Sequence, residues 1–236
     1  MKLKNALLIV SLGGVNLLLS SESFAATEYQ CKICPSGYYC ENGNKYSCQS
    51  GYICVNGKKY SQSKCLKSKL VTLTSGSSYT LPAGIYSVEL AGGGGGGGGS
   101  DKHKKWYGCA WWHCGCDGSR GALNQSQAFS LAVATKLNYT IGQGGAGGGG
   151  GVSGYAGTGG TTSISIVADG GTVTATAAGG GGGQNASGDH SFSCPSRAAG
   201  NGLGGTGGGR ASCGNCKQYN GNVGGAGWIT IYKWAC

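Results

Sequence analysis

Residues 86–99 read Tyr86-Ser87-Val88-Glu89-Leu90-Ala91 and then eight consecutive glycines, Gly92 to Gly99. The first part alternates large and small side chains with the period of two that marks a half-buried strand. The second part has no side chains at all. The same succession recurs along the chain. Short β-type runs at 71–74, 79–81, 129–141, 161–167, 172–176 and 228–232 are interleaved with glycine runs at 144–151, 179–183, 204–209 and 224–227. Pro82-Ala83-Gly84 is a turn signal. No stretch reads as a clear amphipathic helix, apart from a weak ambiguity at 128–136. These features predict an all-β protein.

The glycine runs have two readings. As flexible linkers, five in one small domain would carry a large loop entropy. As extended helices of the polyproline II type, they pack side by side, because chains without Cβ approach closely enough to hydrogen-bond through their backbones. Composition favours the second. Of 236 residues, 52 are Gly, while Leu, Ile, Val and Phe together number 38, too few for the core of a large α/β enzyme. Disorder fits poorly as well, since 13 Cys, 13 Tyr and 5 Trp are not the residues of a solvated chain. Backbone hydrogen bonds between glycine segments would supply a core where apolar side chains are scarce.

Three regions are expected. Residues 1–26 read as a secretory signal, with Lys2 and Lys4, an apolar stretch from Ala6 to Leu19, and Ser23-Phe24-Ala25-Ala26 as a small-residue cleavage site. Export implies oxidised thiols, and no transmembrane anchor is expected in the mature chain. Residues 27–66 form a small cysteine-rich module with Cys31, Cys34, Cys40, Cys48, Cys54 and Cys65. Within it Cys34-Pro-Ser-Gly-Tyr-Tyr-Cys40-Glu-Asn-Gly-Asn-Lys-Tyr-Ser47 repeats fourteen residues later as Cys48-Gln-Ser-Gly-Tyr-Ile-Cys54-Val-Asn-Gly-Lys-Lys-Tyr-Ser61. Each Asn-Gly predicts a tight type I′ turn, because both residues tolerate positive φ. Six cysteines permit three bridges, whose pairing sequence cannot choose. The net charge of +10, with Lys32, Lys45, Lys58, Lys59, Lys64, Lys67 and Lys69 in or beside this module, suits anionic envelope polymers or membranes, or plain solubility. Residues 67–236 are the glycine-rich β-domain.

The order of segments resembles a known family. Tyr79-Thr80-Leu81-Pro82-Ala83-Gly84, then Val88-Glu89-Leu90-Ala91 and the first glycine run, is similar to the opening of the bacterial and phage glycine-rich domain. Tyr139-Thr140-Ile141-Gly142-Gln143-Gly144-Gly145, Gly159-Gly160-Thr161-Thr162-Ser163 and Gly224-Gly225-Ala226-Gly227-Trp228-Ile229-Thr230-Ile231-Tyr232 continue the series. The resemblance implies a β-sandwich with inserted polyglycine II helices, as in phage receptor-binding adhesins and the glycine-rich ectodomains of some receptor tyrosine kinases, which bind and do not catalyse. The module preceding it resembles the Cys-Pro-x-Gly-Tyr-Tyr-Cys repeats of extracellular cysteine-rich modules, including ephrin-receptor-like ones, and implies a stalk or spacer. The chain departs from the glycine-rich pattern in its large insertion after Gly99 and in its export signal.

That insertion, 100–117, is the densest chemistry present. Trp106, Tyr107, Trp111, Trp112, His113, Lys104 and Lys105 are the candidate ligand contacts, since aromatic rings with a charged rim suit a glycan or protein surface. The competing reading has these rings roofing a core without side chains of its own. Cys109, Cys114, Cys116, Cys194, Cys213 and Cys216 are expected in disulfides, and terminal Cys236 is the expected free or intermolecular thiol, which would allow a covalent dimer. A zinc cluster of Cys109, His113, Cys114, Cys116 and the Cys213/Cys216 pair is the weaker alternative, because His113 and Cys114 are adjacent. Asn124, Asn138 and Asn185 head Asn-x-Ser/Thr triplets, which matter only in a eukaryotic secretory route. The sequence contains neither Gly-x-Ser-x-Gly nor His-Glu-x-x-His, and no metal, cofactor or nucleic-acid partner is expected. The expectation is a non-enzymatic surface or secreted protein binding a cell-surface glycan or protein, as monomer or homo-oligomer. A matrix or envelope-layer protein without a specific ligand is the alternative.

Overall fold

The computed structural model describes residues 34–105, 108–151, 153–186 and 220–236. For 102–113 the description is of the backbone. Residues 1–26, the expected signal, lie outside it.

The cysteine module contains two hairpins, β1 (Tyr38–Glu41) with β2 (Asn44–Ser47), and β3 (Tyr52–Val55) with β4 (Lys58–Ser61). In each, two residues turn the chain, pairing Glu41 with Asn44 and Val55 with Lys58. Asn42 and Gly43 have φ of 50° and 77°, and Asn56 and Gly57 have 49° and 72°, the left-handed values that the type I′ turn requires. The repeat extends to covalent and hydrogen bonding. Cys34 bonds to Cys40 and Cys48 to Cys54, each across six residues. The Cys48 amide donates to the Gly37 carbonyl at 2.8 Å, and fourteen residues on Gln62 donates to Gly51 at 2.9 Å. The module therefore stacks one unit on the next, each unit closed by its own disulfide.

A short 3-10 turn, Gln62–Lys64, leads to the strands β5 (Leu66–Leu73), β6 (Ser78–Leu81), β7 (Gly84–Ala91), β8 (Asp101–Lys105), β9 (Gly108–His113), β10 (Leu123–Gln125), β11 (Phe129–Leu131), β12 (Thr135–Thr140), β13 (Thr162–Ala168), β14 (Gly171–Ala177) and β15 (Trp228–Ala235). One antiparallel sheet has the order β10-β7-β15-β5, with β11 also on β7, and a second has the order β14-β13-β12-β6. The helical ambiguity at 128–136 resolves into two strands, β11 and the start of β12. Strands β8, β9 and β10 have no counterpart in the sequence reading. Among the described residues there is no α-helix, and no helix is long and apolar enough to cross a membrane.

The two sheets share one apolar core. Tyr86, Val88 and Leu90 of β7 and Ile229 and Ile231 of β15 come from one side, and Leu137, Ile164 and Ile166 come from the other. In β12 and β13 every second residue is buried, as the period of two demands. Each fully buried Leu or Ile contributes roughly 1.5–3 kcal/mol. The cluster holds only sixteen residues, so the core is thin for a chain of this length.

A second interior begins where the strands end. Six segments run from one end of the two sheets: 92–99 leaves β7, 142–151 leaves β12 and 178–186 leaves β14, while 116–122 enters β10, 154–160 enters β13 and 221–227 enters β15. Gly92 to Gly99 are all buried at the centre. Their amides donate in rotation to three returning segments. Gly92, Gly95 and Gly98 bond Ala122, Ser119 and Cys116; Gly93 and Gly96 bond Gly160 and Gly157; Gly94 and Gly97 bond Gly225 and Asn222. All seven lie at 2.8–3.0 Å. Their carbonyls accept from the outgoing segments at the same interval of three, Gly93 and Gly96 from Gly180 and Gly183, Gly94 and Gly97 from Gly145 and Gly148. Outgoing segments are parallel to one another and antiparallel to the returning ones. A Cβ on Gly96 would collide with the Ala146 carbonyl, and one on Gly118 with the Gly95 carbonyl. Only glycine admits backbones this close.

The Cys236 expectation is corrected here. β15 pairs antiparallel with β5, setting Ala235 opposite Leu66, and the next residues on each strand, Cys236 and Cys65, form a disulfide. Cys236 is thus neither free nor intermolecular in this structure, and Cys65 bridges out of the module. Cys31 lies outside the described residues.

Candidate functional site

The far end of the glycine segments carries the chemistry singled out in the sequence. Ser100, itself buried, passes the chain from the central segment to the hairpin β8–β9, which sits on this tip. Its register sets Asp101 opposite His113, Lys102 opposite Trp112 and His103 opposite Trp111, with a shift between His103 and Lys104. Lys104 and Lys105 close β8. Trp111, Trp112, His113, Lys104 and Lys105 thereby fall within about a dozen residues of one hairpin, as does Cys109, with their placement known at the level of the backbone. Trp106 and Tyr107 lie outside the described residues, as do Cys194, Cys213 and Cys216.

Below the hairpin the glycine pattern closes with side chains. The Gly99 amide donates to Asn185 Oδ1 at 3.0 Å, and the Asn185 amide donates to the Gly154 carbonyl at 2.8 Å. Gly150 N donates to Asn220 Oδ1 at 3.0 Å. Asn185 is buried, so its carbonyl stands in for a neighbouring backbone carbonyl where the run ends. The triplet it heads is consequently no accessible glycan acceptor. At the near end Thr162 does the corresponding work, its fully buried Oγ1 donating to Ala91 O at 2.6 Å and accepting from Gly142 N at 3.0 Å. None of these three residues was singled out for such a role from sequence. A signal for the segment 116–122 was present, however. Gly115, Gly118 and Gly121 recur at the interval of three, the first inside the insertion read over 100–117 and the other two just after it.

Cys114 and Cys116 are both disulfide-bonded, which removes them as thiolate ligands and disfavours the zinc cluster. Cys116 also belongs to the glycine layer, where its amide donates to Gln184 O and its carbonyl accepts from Gly98 N.

The tip and the module are at opposite ends of the β-domain's wiring. The module docks through Asn56, whose side chain accepts from Ser130 Oγ at 2.7 Å and donates to Asp169 Oδ2 at 3.3 Å. Asp169 Oδ1 accepts from Ala132 N at 2.8 Å. Asn56 thus turns a hairpin and also ties it to the sheets. On the outer face of the larger sheet, Tyr232 donates to Glu89 Oε2 and Trp234 Nε1 to Ser87 Oγ, both at 3.0 Å. Burial, and then the hydrogen bond to and charge of Glu89, push the Tyr232 hydroxyl above the ordinary tyrosine value. Tyr86 is raised too, by burial and then by Tyr79.

No protein-family model matches the chain, and no curated protein sequence matches it.

Proposed function

We propose that the protein is an exported, non-enzymatic binding protein of the cell surface or extracellular space, that its glycine segments are polyglycine II helices, and that the loops at their tip contact a glycan or protein ligand. The observation that carries this reading is the rotation of hydrogen-bond partners about Gly92 to Gly98. A helix with three residues per turn and no internal hydrogen bonds directs its amides outward in three directions in succession. A donor series that returns to the same neighbour every third residue fits that geometry. Eight residues at the polyproline II rise would hold the hairpin about 25 Å from the sheets. Such a scaffold owes its order to backbone bonds and places no demand on the composition of its tip, which leaves loops there free to specialise in recognition. Disulfides in the module and at Cys114 and Cys116 suit an oxidising compartment. The order of strand and glycine segments that resembles the bacterial and phage glycine-rich domain supports the same assignment.

The test is binding of the oxidised protein, purified after export, to a broad glycan array and to intact cells, beside the Trp111→Ala/Trp112→Ala double variant. Saturable binding that the variant loses supports recognition through the hairpin. Binding retained in full removes the hairpin from the site. Absence of binding, with concentration-dependent polymerisation untouched by the substitutions, replaces this reading with the matrix role.

A further inference from the structure

A second recognition surface lies far from the tip, in the cleft between the cysteine module and the outer face of the larger sheet. It encloses about 250 Å³, less than the ~300 Å³ at which drug-sized pockets begin. That space suits a single sugar ring. The module side supplies Gln49, Tyr52 and Gln62, and the sheet side supplies Ser87, Gln127 and Trp234. No acidic side chain is among the residues lining it.

Both aromatic walls carry an ammonium group. Lys59 Nζ stands 4.0 Å from the Tyr52 ring centre and donates to Gln49 Oε1 at 2.8 Å. That bond uses one of its three N–H donors and leaves two. Lys67 Nζ stands 5.4 Å from the Trp234 ring centre and 4.1 Å from that of Tyr232. The Trp234 indole is fixed in turn by its bond to Ser87. The cleft therefore combines amide groups, which pair with hydroxyls in either sense, with aromatic surface, and a cation outside the lining stands against each aromatic wall. We infer that it binds an acidic saccharide, with the ring between Tyr52 and Trp234, its hydroxyls on Gln62 and Gln127, and its carboxylate directed out of the cleft toward the flanking cations Lys59 and Lys67. The inference stands apart from the tip, since no residue of 100–117 lines the cleft.

The experiment titrates the oxidised protein with a hyaluronan hexasaccharide, following the Trp234 indole N–H resonance by NMR. Neutral chitohexaose and hexaglutamate serve as comparisons. Saturable movement of that resonance with hyaluronan is expected, with chitohexaose and hexaglutamate each at least about tenfold weaker. Lys67→Gln removes a cation and Gln127→Glu adds a repelling carboxylate. Both positions are exposed, so folding is retained, and each should weaken binding by about tenfold or more. The Trp111→Ala/Trp112→Ala variant should bind the hexasaccharide unchanged, which separates this site from the tip. An unmoved Trp234 resonance overturns the inference. So does equal binding of the neutral sugar or the acidic peptide, and so does an affinity untouched by both cleft substitutions.

Discussion

Tyr232 donates its hydroxyl to Glu89 across the β15–β7 pair, and burial together with that carboxylate holds its proton above the usual value of about 10. The buried Tyr86, donating to Pro82 O at 3.0 Å, is shifted in the same direction. A raised pKa means that the folded state binds the proton more tightly than the unfolded chain. The associated stability is complete below about pH 10 and is lost as pH rises through the folded values. Denaturant unfolding from pH 8 to pH 12 should show stability falling above pH 10, and Tyr232→Phe should make that fall shallower. A Tyr232→Phe curve of unchanged steepness would contradict the assignment. The pair was visible in sequence only as two residues on predicted strands. Its register across the sheet came from folding, because nothing local to Glu89 specifies which strand will lie beside it.

The glycine segment is the element on which the architecture turns. Were 92–99 a flexible linker, replacing one glycine by alanine would leave stability nearly unchanged, because the methyl would restrict the folded and the unfolded chain alike. In the packed arrangement the new methyl meets the Ala146 carbonyl. Gly96→Ala should therefore destabilise by about 1–3 kcal/mol, with a corresponding loss in midpoint on chemical denaturation. A clear loss of stability, against none, decides between the two readings. The strands were legible as elements because alternation is a local signal, and those expected at 71–74, 79–81, 86–90, 161–167, 172–176 and 228–232 are all observed. The type I′ hairpins were legible for a similar reason, since Asn42-Gly43 and Asn56-Gly57 dictate their own backbone angles. Segment 116–122 was less so. Cys116 and Arg120 obscure its glycine period, and Cys116, with Cys109 and Cys114 just before it, invited a different reading.

At the scale of the whole molecule, the last strand closes the β-domain. β15 lies between β7 and β5, and the Cys65–Cys236 bond fastens its end across a sequence separation of 171 residues. Long loops yield the largest effect on the unfolded chain, so Cys236→Ser should cost about 2–5 kcal/mol. Peptide mapping under non-reducing conditions should recover the Cys65 and Cys236 peptides joined; recovery of Cys236 alone, or joined to a second chain, would count against the bridge. Thirteen cysteines cannot all pair within one chain. With three bridges assigned and Cys114 and Cys116 bonded, the odd cysteine falls among Cys31, Cys109, Cys194, Cys213 and Cys216. The sequence by itself determined the all-β class, the fourteen-residue repeat and the alternation of strand with glycine, because period and turn chemistry act over a few residues. Tertiary structure alone decided which glycine segments are neighbours, where Cys236 goes, and that Tyr52 and Trp234 face one cleft. Glycines are identical and carry no register of their own. Their alignment is imposed by the strands at one end and by side chains such as Thr162 and Asn185, which meet their partners only once the chain has closed.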